Sequence, residues 1–130
     1  MSKERIVSFE DLECWKVCRE LRLYVAREVV RALPQEEKYR LGDQMIRAAR
    51  STTANIAEGY GRFHYLDNAK FCTNSRGSCW ELLDHLITAQ DEGILQSEHV
   101  EKGRAMVETA VRVLNGYISY LKRAGQNNSY

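Results

Sequence analysis

Apolar residues recur every three or four positions along most of this chain, and nowhere do they alternate as in a half-buried strand. The first such stretch follows Ser8, a good helix cap, with Glu10 and Asp11 suited to an N-terminal dipole, and predicts a helix over about 9–33 that stops before Pro34. After the proline, "QEEKYRLGDQMIRAARSTTANIAE" predicts a second helix over about 36–59. Gly59 and Gly61 are read as its C-terminal stop, because glycine tolerates left-handed geometry. A third helix is expected over about 66–93, ending at Gly93. A fourth, capped by Ser97, is expected over about 97–124, leaving "GQNNSY" as a frayed tail. Four helices joined by short loops make an all-α, antiparallel up-down-up-down bundle, a single domain over residues 1–130.

The phase of each helix says more than its existence. At about 100° per residue, Cys14, Val17, Cys18, Leu21, Val25 and Val29 form one apolar stripe on the first helix. Leu12, Leu23, Ala26 and Val30 form a second stripe, roughly opposite. An isolated bundle buries one face of each helix, so the second stripe predicts an interface with another subunit. The second helix places Leu41, Met45, Ala48, Ala49, Thr52 and Ile56 on its apolar side. On the other, Gln44, Arg47, Ser51, Asn55 and Glu58 form one polar row. Ser75, Ser78 and Glu81 on the third helix are placed to answer it, and Glu58 is expected to accept from a neighbouring helix or from Arg62 at the helix exit.

That row admits two readings. In the chemical one, Glu58 and Glu81 face one cleft as acid and base, with Arg47 or Arg62 holding an anion. In the architectural one, the same groups form a hydrogen-bond network that fixes helix register. The second is favoured, for the sequence supplies no companion chemistry. A di-iron bundle needs Glu-x-x-His on two helices, which is missing, and His64, His85 and His99 are dispersed. "EGYGR" lacks the strand and spacing of a dinucleotide or phosphate loop, and its glycines sit at a helix C-terminus, where carbonyls repel phosphate. The four cysteines, Cys14, Cys18, Cys72 and Cys79, lack the CxxC pairs of a zinc site and are read as buried thiols. No catalytic, cofactor or metal site is assigned.

Composition narrows the partners. The chain carries 19 basic and 18 acidic residues, a formal charge of +1. That balance excludes coating nucleic acid by bulk charge and leaves only a local patch. Lys16, Arg27 and Arg31 lie near one edge of the first helix, with Arg50 on the second, and are the candidate nucleic-acid contacts. "MSKERIVSFEDLE" has no apolar core of a signal peptide, and no apolar run reaches the ~18 residues of a membrane span. A cytoplasmic protein with reduced thiols and no membrane partner is expected.

The segments "FEDLECW", "PQEEKYRLGDQMIRAARSTTANIAEGYGR" and "GSCWELLDHL", in that order, resemble the 23S ribosomal RNA intervening-sequence proteins, from about Phe9 to Leu121. Gln44, Arg47, Ala48, Ser51, Asn55 to Gly59, Arg62, Gly77-Ser78 and Glu81 carry the likeness. The resemblance implies a bacterial four-helix bundle that assembles as a ring-like homopentamer, with no established enzymatic activity. Such proteins are encoded in insertions of ribosomal RNA genes and elsewhere. A related branch, the accessory variability proteins of diversity-generating retroelements, binds a reverse transcriptase and nucleic acid through a strongly basic surface, which this near-neutral chain does not share. The function expected is a non-enzymatic oligomeric scaffold that contacts RNA or an RNA-handling partner. The alternative is a small enzyme using Glu58, Glu81 and Arg62.

Overall fold

The computed structural model describes residues 5–127. Four antiparallel helices enclose one core: α1 (Glu13–Tyr24, continued by Val25–Val29 and Val30–Ala32), α2 (Leu41–Gly61), α3 (Tyr65–Asp91) and α4 (Ser97–Asn127). Each of α1 and α3 packs against both α2 and α4. Leu21, Met45, Ile56, Leu82, Leu86, Val107, Leu114 and Leu121 are fully buried between them. The expected core residues of α2, from Leu41 to Ile56, are all buried, as is the first stripe of α1 except for half-buried Val17. Among the described residues no helix is long and apolar enough to cross a membrane.

The entry to α1 differs from expectation. Ser8 caps a separate 3-10 turn, Phe9–Asp11, by accepting a hydrogen bond from the Glu10 amide, while Asp11 accepts from the Val7 and Ser8 amides. Those backbone bonds hold the Asp11 carboxyl below its usual range. Leu12 is extended, so α1 begins only at Glu13. The angular phase of a continuous helix therefore does not reach Leu12. Its side chain drops into the core (6% exposed), and it leaves the proposed second stripe.

Farther along, Val25–Val29 form a π-helical turn. Leu21, Val25, Val29 and Leu33 recur every four residues and are all buried. An ideal α-helix would carry such a row gradually off the core. The wider i→i+5 turn brings it back.

Pro34 ends this helix as expected, with Leu33 extended before it. The next residues wind as a 3-10 turn, Gln35–Glu37, and α2 starts five residues later than the sequence suggested, at Leu41. Lys38 sits in the connection and donates to the Val30 and Arg31 carbonyls at 3.3 and 3.0 Å, meeting the free carbonyl end of the preceding helix.

Both Gly59 and Gly61 lie inside α2, and neither takes positive φ; the left-handed residue that closes the helix is Phe63 (φ 59). Gly59 is required by space. A Cβ there would stand 2.7 Å from Asn68 Oδ1 and 2.9 Å from Phe71 Cβ on α3. Gly93 does take the expected left-handed turn (φ 73) after α3. Ser97 is the first helical residue of α4, and the Gln96 carbonyl accepts its first backbone bonds. Of the expected frayed tail, residues 125–127 are helical, with Gly125 letting Leu66 and Tyr65 approach, and the last three residues lie outside the described ones.

Candidate functional site

Helix α2 has two flanks of opposite character. Toward α3 it presents small and hydroxylated side chains, and the two backbones close into a tight seam. Ser75 is fully buried and donates to the Thr52 carbonyl at 2.8 Å, while the buried Thr52 hydroxyl donates to the Ala49 carbonyl at 2.7 Å. At the seam's rim the Ser78 hydroxyl donates to Ser51 Oγ at 2.8 Å. Asn55 donates to the Ser51 hydroxyl and carbonyl, each at 2.9 Å. Ser51, Asn55 and Ser78 thus form the interhelical contact foreseen for the polar row.

The remaining members of that row do not join it. Gln44, Arg47 and Glu58 are exposed. Glu58 pairs with Arg62 one turn on, at 3.2 Å, with both side chains about half exposed (54% and 51%). Arg62 also lies over the Phe71 ring at 4.9 Å. Glu81 turns to His85 on its own helix, at 3.1 Å, rather than to α2. Nor do Glu58 and Glu81 share a cleft. Gly59 faces Asn68 and Phe71, so Glu81 lies ten residues farther along α3, roughly 15 Å at about 1.5 Å per residue. The arrangement required for a carboxylate pair is therefore not formed.

The four cysteines are buried in the core. A hydrogen bond shared with Cys72, then burial, pushes the Cys14 thiol above its ordinary range; Cys79 is raised in the same way by Cys18 and burial. Raised, enclosed thiols are poor nucleophiles. Among the described residues no group of three or more His, Cys, Asp or Glu side chains is placed to share a metal ion.

On its other flank, toward α1, helix α2 leaves an open groove. Leu23, Ala26, Ile46, Ala54 and Ala57 line it, and Trp15 closes one end, stacked edge-on against Phe9 at 5.4 Å. Leu23 and Ala26 of the second stripe are thus exposed or half-buried in this groove, whereas half-buried Val30 packs on the subunit's own core. Among the described residues two arginines and no acid line the groove: Arg50, which is exposed, and Arg22, which donates to Thr53 Oγ1 at 2.7 Å.

The candidate cations do not gather into one patch. Arg50 belongs to the α1–α2 groove, whereas Arg27 lies across α1 in a hollow shared with Glu20, Glu28 and Lys102. Arg31 is exposed at the end of α1, and Lys16 is half-buried near its start.

Several polar anchors escaped sequence reasoning. Asn68, buried on α3, donates to the Tyr117 hydroxyl on α4 at 3.1 Å. The Tyr24 hydroxyl donates to the His99 carbonyl at 2.8 Å. These partners lie 49 and 75 residues apart, so no local spacing announces them. The one available signal was Asn68 itself, a polar residue in phase with Ala69, Cys72 and Cys79 on the buried face of α3.

A search of curated protein sequences finds no match. The sequence model of one family, described as 23S rRNA-intervening sequence protein, matches residues 10–116. That match spans most of the bundle, from the 3-10 turn through α4's middle, and takes in the α2–α3 seam and both walls of the groove. By this measure, and in keeping with its four antiparallel helices, the chain belongs to the 23S rRNA-intervening sequence protein family.

Proposed function

We propose that the protein is a non-enzymatic scaffold that assembles with copies of itself through the α1–α2 groove and contacts RNA or an RNA-handling partner. The groove carries the reading. Leu23, Ala26, Ile46, Ala54 and Ala57 offer a continuous apolar floor that the single chain leaves uncovered. An apolar surface of this kind gains stability when a partner removes it from water.

Closed rings use two different faces on each subunit. A second face is available on the far side of α1, where Val17, Ala105 and Met106 form a smaller apolar patch flanked by Glu20 and Lys102. Two unlike apolar faces on one subunit suit a head-to-tail contact, the kind a ring requires; the family likeness supplies the number five. The RNA part of the reading rests on exposed Arg27, Arg31 and Arg50, whose modest individual contributions repeat with the symmetry of a ring.

Light scattering at micromolar concentration tests the assembly, with a mass several times that of one chain expected and a mass of 15.0 kDa excluding it. RNA contact is tested separately at low salt. Affinity should fall steeply as salt is added, and Arg27→Ala with Arg31→Ala should weaken binding to unrelated sequences alike. Failure to bind either single-stranded or structured RNA at low salt would remove that part.

A further inference from the structure

The end of the bundle where α2 passes into α3 carries a second hollow, unrelated to the groove and walled by aromatic rings. Tyr60, Phe63, Tyr65, Tyr117 and Tyr120 converge there from three helices and the α2–α3 turn. Tyr117 and Tyr120 are stacked at 6.1 Å with an 18° angle between planes, and Tyr65 stands edge-on to Tyr120 at 6.4 Å.

Two features are costly for a surface with only a structural duty. Phe63 holds a left-handed backbone (φ 59) that bulky residues seldom adopt, yet its ring is 79% exposed. Strain of this sort persists where the surroundings enforce it and clusters at ligand sites. Tyr120 also leaves an aromatic face about half open to solvent (49% exposed).

The floor is polar and has bonding capacity to spare. Asn68 gives one amide hydrogen to Tyr117 Oη and accepts from the Cys72 thiol at 3.4 Å, which leaves its second N–H for another acceptor. Tyr117 accepts from Asn68 and keeps its own hydrogen to donate. A tyrosine hydroxyl keeps its hydrogen at neutral pH, and burial raises the Tyr117 pKa further. Two donors beneath π-faces match a flat heterocycle with an acceptor-rich edge, such as a uracil carbonyl or guanine O6 and N7.

Among the described residues no acidic side chain lines the hollow. Exposed Arg123 stands one turn beyond Tyr120 on the same face of α4, the nearest cation to the rings on that face of the helix. Aromatic platforms beside cations are the usual means of holding an unpaired strand. A peptide would also offer carbonyls to these donors but no phosphate to Arg123, which favours a nucleic-acid strand.

We propose that this hollow receives one unpaired base of single-stranded RNA, an acceptor-edged base such as uracil in preference to adenine; the proposal rests on the RNA-contact reading given above. The test is fluorescence anisotropy at low salt with a labelled oligouridylate, an oligoadenylate and an abasic ribose-phosphate strand of equal length. The oligouridylate should bind tightest and the abasic strand weakest. Tyr120→Ala should weaken oligouridylate binding roughly tenfold through loss of one stacking face, and Tyr120→Phe should restore it. Thermal melts of both variants accompany the titrations, so that a fold defect in the alanine variant is recognised and the phenylalanine variant remains decisive.

If the abasic strand binds as tightly, or a folded Tyr120→Ala keeps full affinity, the hollow is not the site and RNA contact stands on the cationic surface alone. If no strand binds at low salt, both the hollow and the RNA reading fail. Binding of an aromatic peptide in place of RNA would likewise overturn the proposal and make the hollow a protein-docking site.

Discussion

The two flanks of α2 are built from similarly small residues yet end in opposite states. Toward α3, Ala48, Thr52 and Gly59 are buried, and the helices approach until a single added carbon at Gly59 would collide. Toward α1, Ala54 and Ala57 line an open groove. Small side chains therefore do not by themselves signal close packing. They permit it, and what faces them decides. Opposite the seam stand Ser75 and Ser78, whose small side chains let α3 come near and bond to the Thr52 carbonyl and the Ser51 hydroxyl. Opposite the groove stand Trp15, Leu23 and Arg22, which hold α1 away at that edge. The seam is finished within one chain, whereas the groove is finished only by a partner.

Gly59→Val should break the seam most severely. Its branched side chain meets the Asn68 carbonyl and Phe71 Cβ, so the backbone of α3 must shift. A loss of about 3 kcal/mol or more is expected in chemical denaturation, and a wild-type midpoint would show that α2 and α3 are not closely apposed.

On the groove, Leu23→Asp combined with Ala26→Asp should split the assembly, because two charges would have to be buried without partners. Circular dichroism should show the helices intact, since neither side chain belongs to the buried core. Val30 is a poorer choice for this test, as it already packs on its own subunit. A double variant of unchanged mass would clear the groove of any role in assembly.

A milder probe of the seam is Ser75→Ala, which removes the bond to the Thr52 carbonyl and leaves that carbonyl buried. Typical costs for such a loss are about 1–2 kcal/mol, to be read from denaturant midpoints.

Glu58→Ala should do least. An exposed i,i+4 pair contributes about 0.3–0.5 kcal/mol and weakens with salt. Had Glu58 been part of the buried network suggested by its position in the polar row, the loss would be several times larger. A fall beyond about 1 kcal/mol would therefore restore that network.

The contrast also explains which parts of the molecule the sequence disclosed. Helix count, order and most buried positions follow from apolar spacing, because a regular helix converts spacing directly into direction. Leu12 was misplaced where that regularity stops, at an extended residue between two helical turns. Gly59 was correctly singled out for the wrong property, since sequence shows that a residue lacks Cβ but not whether φ or a neighbour demands it. The polar row was legible as far as Ser51, Asn55 and Ser78. For Glu58 and Glu81, nearby partners on the same helix won over distant ones, a choice that spacing alone leaves open. Phe63 gave no warning, since its residue type argues against the conformation it adopts. The aromatic end likewise depends on tyrosines brought together from α2, α3 and α4.

Whether the groove is covered in solution can be read from the reactivity of a single thiol. The native cysteines are at most 2% exposed, so a cysteine introduced at Ala54, on the groove wall, reports its own surroundings. Gly77→Cys, on an open stretch of α3, supplies the exposed reference. Under native conditions at micromolar concentration, Ala54→Cys should react with a maleimide far more slowly than Gly77→Cys. Adding Leu23→Asp and Ala26→Asp should restore its rate. Equal rates for Ala54→Cys and Gly77→Cys in the otherwise native protein would mean that the groove stays open, contradicting assembly through it.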